Sequence, residues 1–524
     1  MNKVQILDCT LRDGGYCNQW DFGYDNQKKI VNGLIESNVE IVECGFLTNK
    51  AEFDEDKTKF TSLQTISRII PSDRKNCLFV AMMNYGEYNV DELPDYDGTS
   101  IDGIRVAFHK KDWKEALVLC GKIKDKGYKV FIQAMVSLNY SDVEFLDVIN
   151  TVNKFSPYAF YIVDSFGMMK GKDLTRLFYL VEHNLDSDIK IGFHSHNNMQ
   201  LSFSNAQLLL GIQTNRNLII DASVYGMGRG AGNLNTEIIL DYLNEASLGQ
   251  YNIKPLFRII DEILCNFYEK ESWGYSLPNY LSASYNVHPN YASYLDDKKT
   301  LTIEAMDVIF KMIDKEKKNS YDRDYIEDLY LQYMASEKNR SKHEFECKNA
   351  FKDKTIVLIA PGKSSVDEKE KIIDFLQQKD AVCVSVNHVY KETVADYIFI
   401  SNLRRYRELP NESRGKAIVT SNIVTDIYYC QTKYYDLLND VECVRDNAGL
   451  MAIKFFINCG AKEICLAGFD GYSHDIGENY AYGKMKMYMK DDMLDAINEG
   501  MIKVIDGYKK EIRICFLTSP KHIF

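Results

Sequence analysis

Short β-branched runs and amphipathic helical stretches alternate along the first half of the chain. The runs are VQILDC from Val4, VEIVEC from Val39, CLFVAM from Cys77, IDGIRVAF from Ile101, YKVFIQA from Tyr128, AFYIVD from Ala159, IKIGFH from Ile189 and LIIDASV from Leu218. The stretches between them, such as NQKKIVNGLIES and DWKEALVLCGKIKDKG, carry apolar residues at helical spacing. Gly127 stands where a helix would stop before the next strand. Successive runs start about 24 to 38 residues apart, the length of one βα unit. Eight such units predict a (β/α)8 TIM barrel over residues 1–250; the rival, a doubly wound open sheet, rarely has eight such even repeats.

Beyond the eighth run the texture changes. Segments such as KMIDKEKKNSYDRDYIEDLYLQYM read as helices with solvated charged faces, and residues 251–340 predict a helical extension or lid. The polar tract at 341–353 reads as a linker. A second α/β pattern fills 354–524, with strand-like KTIVLIA, AVCVSV, DYIFIS, KAIVTS and EICLAGFD and a helical NAGLMAIKFFINCG between the last two. It predicts an open parallel sheet of Rossmann type.

Composition narrows the class. A chain of 524 residues exceeds one ordinary domain, and 45% hydrophobic with 26% charged residues suits a packed globular protein. A formal net charge of −12 argues against a general binder of nucleic acid or anionic membranes. No apolar run approaches the roughly 18–20 residues that span a bilayer, and the immediate entry into a strand predicts no signal peptide. The 13 cysteines form no CxxC pairs, and several, such as Cys44, Cys77 and Cys383, fall inside apolar runs. Reduced, buried thiols in a cytoplasmic protein, assembled as a homo-oligomer, are the expectation.

In a barrel, functional groups gather at the C-terminal ends of strands. Those ends read Asp8, Arg12 and Asp13; Glu43; Arg105 and His109; Gln133; Asp164 and Ser165; His194 and His196; and Asn233. Nearly every strand delivers a polar group to one rim, which a purely structural barrel would not need. Alternate residues on a strand face the same way, so His194 and His196 point into one cavity, and Asp13 joins them if the first and late strands are neighbours. Two imidazoles and a carboxylate suit a divalent metal: Mn²⁺ or Mg²⁺, with Co²⁺ or Zn²⁺ as alternatives. Open positions would admit a 2-oxo acid through its carboxylate and ketone oxygens. Asn197 and Asp164 are candidate partners for the histidines.

LDCTLRDGG (Leu7–Gly15), the HSHNN segment and GMGRGAGNLNTE (Gly226–Glu237) together resemble the DRE-TIM metallolyases, most closely the catalytic domains of the 4-hydroxy-2-oxovalerate aldolase type. The resemblance covers roughly Met1 to Thr300. It implies that Asp13, His194 and His196 bind the metal with Asn233 as a candidate fourth ligand, that Arg12 lies against the substrate's enolate oxygen, and that Glu43 steadies the metal shell. LSASYNVHPNYA (Leu281–Ala292) resembles the segment where these aldolases carry a catalytic tyrosine, which points to Tyr285, with His288 as a base or partner. RDGG is followed by Tyr16 where such aldolases place a histidine base, so the proton acceptor stays open. GMGRGA also satisfies a loose dinucleotide pattern; a tight turn beside the metal is the preferred reading.

In the second unit APGKSS invites a P-loop reading, which fails because Val357 occupies the place of the first glycine. The unit resembles sialyltransferase-like or related nucleotide-sugar domains. That implies a nucleotide or phosphate near Gly362, Lys363, Ser364, Ser365, Asn387, Asn402 and Asp470; the alternative is a catalytically silent α/β unit. The expected activity is metal-dependent cleavage or formation of a 4-hydroxy-2-oxo acid through the pyruvate enolate, with a link to carbohydrate or surface polysaccharide metabolism. An isopropylmalate synthase-like condensing enzyme, or a nucleotide-sugar-binding transferase on a scaffold barrel, are the alternatives.

Overall fold

In the computed structural model, which describes residues 4–336, 344–482 and 491–523, the chain divides into two compact units. One holds the residues up to Ser293 together with Asp314–Tyr321; the other holds Tyr294–Ile313 and the residues from Asp322 onward. Among the described residues, no helix is long and apolar enough to cross a membrane.

The first unit is a (β/α)8 barrel. Its strands are β1 (Val4–Asp8), β2 (Ile41–Leu47), β3 (Leu78–Asn84), β4 (Gly103–Phe108), β5 (Lys129–Ala134), β6 (Ala159–Asp164), β7 (Lys190–Ser195) and β8 (Leu218–Ala222). Each pairs in parallel with the next, and β1 pairs with both β2 and β8, which closes the sheet. All eight runs read from the sequence are strands.

Alternation along the strands separates two cores. Ile6, Ile104, Ile132, Ile162, Phe193 and Ile220 point outward and pack under the helices. Leu7, Ile41, Val80, Phe131, Tyr161 and Ile219 point inward and form an apolar floor inside the barrel. Gly192 makes room for that floor: a Cβ there would stand 2.4 Å from the Tyr161 ring.

The second unit is built on seven parallel strands, β9 (Thr355–Ile359), β10 (Ala381–Val386), β11 (Tyr397–Ile400), β12 (Ala417–Thr420), β13 (Cys430–Thr432), β14 (Glu463–Ala467) and β15 (Arg513–Phe516), in the order β13-β12-β11-β10-β9-β14-β15. The two edge strands, β13 and β15, were not among the expected runs. β13 has only three residues, CQT, with two of them polar, and β15, RICF, is only partly buried, so neither stands out as an apolar run.

The region 251–340 does not behave as one extension. Tyr294–Ile313 and Arg323–Ser336 belong to the second unit, where Tyr330 Oη bonds Tyr434 Oη at 3.2 Å and Arg445 pairs with Glu327 at 2.7 Å. Of the expected linker, 341–343 lie outside the described residues and Glu344–Phe351 form a helix that buries Phe351. Cys347 on that helix is disulfide-bonded to Cys430 on β13, a departure from all-reduced thiols; Cys44, Cys77 and Cys383 are free and buried as expected.

Candidate metal centre

Strand parity decides what lies above the apolar floor. Glu43, Arg105, Gln133, His194 and Asp221 each sit two residues beyond an inward position, at Ile41, Gly103, Phe131, Gly192 and Ile219, so all five face inward, and all are buried. Arg12 and Asp13 enter from the helical turn Thr10–Asp13 that follows β1. His196, just past β7, forms a backbone bridge with Asn233. Gly228 allows the loop after β8 to close on this group, because a Cβ there would stand 2.2 Å from Asn233 Nδ2.

These side chains form one bonded cluster. Arg12 donates from Nε to Glu43 Oε2 and from Nη1 to Asp13 Oδ1, both at 2.8 Å. Asn233 Nδ2 donates to Asp13 Oδ2 at 2.6 Å. Arg105, wholly buried, pairs with Glu43 at 2.9 Å and with Asp221, and Asp221 Oδ2 stands 2.9 Å from His194 Nδ1. Burial opposes ionisation of Asp13, but Arg12 and the two histidines hold its carboxyl well below the usual range. Burial pushes His196 down to about 3, against the pull of Asp13, so its ring is neutral.

The donor set fits a divalent cation. Asp13, His194 and His196 each offer a ligand atom, and these atoms lie within 4.8 Å of one another. Asp221 engages His194 Nδ1, which leaves Nε2 for a metal. Two guanidinium groups, Arg12 and Arg105, face three buried carboxylates, Asp13, Glu43 and Asp221. Asn233 Oδ1, a good oxygen ligand, is buried with no hydrogen-bond partner.

Comparison with known proteins matches the barrel half of the chain. Residues 3–259 match the HMGL-like family. A 4-hydroxy-2-oxovalerate aldolase of Pseudoalteromonas translucida is 26% identical over 261 residues, 49% of this chain and 74% of the relative. One from Geobacillus genomosp. 3 is 26% identical over 49% of this chain and 75% of the relative. A solved N-terminal domain from Bacteroides vulgatus is 28% identical, with a TM-score of 0.49, and covers 57% of this chain and 98% of that domain. Residues 3–259 form an HMGL-like enzyme domain.

Within the HMGL-like domain, Arg12, Asp13, Glu43, His194, His196 and Asn233 converge as one group. The histidine partner is a correction: it is Asp221, not Asn197 or Asp164. Asn197 Oδ1 accepts the backbone N–H of Ser202, and Asp164 accepts those of Met168 and Met169. Asp8 bonds Thr10 N and Thr236 Oγ1 rather than joining the cluster. Asp221 and Arg229 were missed. The signal for Asp221 was present, an acidic residue at an inward position of the apolar run LIIDASV.

The outer residues stand apart from these bonds. Tyr285 ends the helix Leu277–Ser284, half-buried, with its carbonyl accepting Lys318 Nζ at 2.9 Å. His288 Nδ1 accepts the backbone N–H of Asn290 at 3.2 Å, and burial pushes its pKa down to about 3. The neutral ring therefore carries its proton on Nε2 and offers a donor there. Tyr16 packs edge-on against Trp20 and Phe46, at 4.7 and 6.4 Å between centroids.

In the second unit, most of the expected phosphate contacts are engaged internally. Asp470 is bonded by Ser364 through both N–H and hydroxyl, and Lys363 pairs with Glu478 at 2.5 Å. Asn387 Oδ1 accepts Ser401 N, and Asn402 caps the helix Leu403–Glu408. Gly362 packs on the Gly468 carbonyl, and Ser365 Oγ bonds the Gly362 carbonyl.

Proposed function

We propose that the HMGL-like domain is a divalent-metal-dependent carbon–carbon lyase, an aldolase that cleaves or forms a 4-hydroxy-2-oxo acid through the enolate of pyruvate. The observation that carries this reading is the buried Asp13–His194–His196 cluster, whose ligand atoms lie within 4.8 Å of one another. Asp13, His194 and His196 would hold Mn²⁺ or Mg²⁺, with Co²⁺ or Zn²⁺ as alternatives, and Asn233 Oδ1 would complete the protein's share. When bound, the cation polarises the ketone beside the breaking bond. Arg12, fixed by Asp13 and Glu43, uses two of its five donors on them and keeps others for the enolate oxygen. Glu43 positions both Arg12 and Arg105. His288 offers Nε2–H to the substrate hydroxyl, and Tyr285 is assigned to the same outer side by the resemblance.

For the second unit, the internal bonding of Asp470, Asn387 and Asn402 favours a silent α/β unit over a nucleotide-sugar site. A thermal shift of the full chain with any nucleotide sugar would reverse that preference.

The lyase reading is tested by loading the full chain with Mn²⁺, offering 4-hydroxy-2-oxo acids of varied length, and coupling pyruvate release to NADH oxidation. Metal-dependent release, lost in Asp13→Asn, is expected. No release from any such acid, together with protein that purifies without metal, overturns it.

A further inference from the structure

Among the described residues, one cation at the barrel's mouth has no anionic partner. Arg12 and Arg105 each bond two carboxylates, whereas Arg229, in the loop after β8, forms no ion pair among the described residues. Its protein contacts are a long hydrogen bond, Nη2 to the Ser165 carbonyl at 3.4 Å, and an approach of 5.3 Å to the Tyr16 ring. Its Nε is buried and unpartnered. Its charge acts on Asp13, His196, Tyr16, His109 and His288, which sets it at the rim of the cluster.

The loop that presents Arg229 is pinned. Ala231 N–H donates to Asn198 Oδ1 at 2.9 Å, Asn198 Nδ2 donates to the Phe166 carbonyl at 3.0 Å, and Gly232 N–H bonds the Arg229 carbonyl at 3.2 Å. A half-buried guanidinium with an orphan donor is costly to hold without a counter-ion. Its planar fork of donors matches an oxyanion better than a lysine would.

Arg12 and Arg105 already pair with all three carboxylates of the cluster, Asp13, Glu43 and Asp221, and leave none to Arg229. Arg229 therefore carries the unpaired positive charge at the site. Tyr16, which lies against the guanidinium and packs on Trp20 and Phe46, supplies an apolar surface beside it.

We propose that Arg229 receives a second anionic group of the substrate, a carboxylate or phosphate on the aldehyde half, and so makes the enzyme selective for acidic aldehydes. This rests on the lyase reading. The test has two readouts on the full chain. In the first, Mn²⁺-loaded protein condenses pyruvate with succinate semialdehyde, glyceraldehyde 3-phosphate and neutral propanal. Wild type is expected to favour one acidic aldehyde over propanal at least tenfold in kcat/KM. That ratio falls at least tenfold in Arg229→Gln, mostly through KM, and is partly restored in Arg229→Lys. The stronger of the two acidic aldehydes distinguishes carboxylate from phosphate. In the second, metal-free protein is titrated calorimetrically with succinate and with glycerol 3-phosphate, and binding of one is expected to weaken at least tenfold in Arg229→Gln. Equal handling of acidic and neutral aldehydes by wild type overturns the inference and leaves the lyase reading standing. If no aldehyde reacts, the titration decides: no binding, or equal binding by wild type and Arg229→Gln, overturns it.

Discussion

His194 Nδ1 stands 2.9 Å from Asp221 Oδ2 across the β7–β8 pair. The carboxylate fixes the ring's tautomer and angle. Asp221→Asn should weaken Mn²⁺ binding about 10–100-fold, the range for loss of such a partner. Paramagnetic resonance titration of free Mn²⁺ measures this, and an unchanged affinity would refute the assigned partner.

Arg105 joins β4 to Glu43 on β2 and to Asp221 on β8, with no exposed surface. Arg105→Met would leave two buried carboxylates without their shared counter-ion. The expected loss is about 3–5 kcal/mol in barrel stability, the usual cost of breaking a buried pair from one side. Urea denaturation followed by far-ultraviolet circular dichroism measures it; a loss below about 1 kcal/mol would show that water replaces the guanidinium.

His388, past β10, is 7% exposed, and its Nε2 has no partner. Burial pushes it down to about 4, against the bond to the Val386 carbonyl. The folded state thus binds this proton more weakly than the unfolded chain, whose histidine titrates near 6.5. Its contribution is complete above that pH and is lost as pH falls toward 4, by up to about 3 kcal/mol. In His388→Gln, the stability difference of the second unit between pH 7 and pH 4.5 should shrink by that order. An identical difference in both proteins would assign the acid sensitivity elsewhere.

The Cys347–Cys430 disulfide closes a sequence separation of 83 residues. Loop-closure entropy for that length gives an upper figure of about 4.5 kcal/mol, which Cys430→Ser would forfeit in part. Peptide mapping without reductant should recover the two cysteines linked. Thirteen titratable thiols in the denatured, unreduced chain would contradict the bond.

The sequence was most legible where parity governs. Every barrel strand had an apolar run; His194 and His196 stood at a strand end and Asp13 in the turn after β1, so closure brought these three together, whereas Asn233 also needed the loop after β8 to fold back. Partnership was less legible. Asp164 and Asp221 are both acidic and near strand ends, yet only Asp221 sits at an inward position beside His194. Asp164 instead holds the loop at Met168 and Met169. Arg229 was hidden because GMGRGA reads as a turn through its glycines, and nothing local says that the arginine goes unpaired. The edge strands β13 and β15, one short and polar and one only partly buried, left no apolar run.

The two-tier interior of the barrel has a consequence for how the enzyme comes into being. The apolar floor can collapse from any few strands, but the charged tier above it draws on β1, β2, β4, β7 and β8 at once. An open sheet lacking only its final strand would own Asp13, His194 and His196 and still lack Asp221, Arg229 and Asn233. Under the proposed lyase reading, full metal affinity would therefore report ring completion, since it needs Asn233 in place and β8 paired with β1.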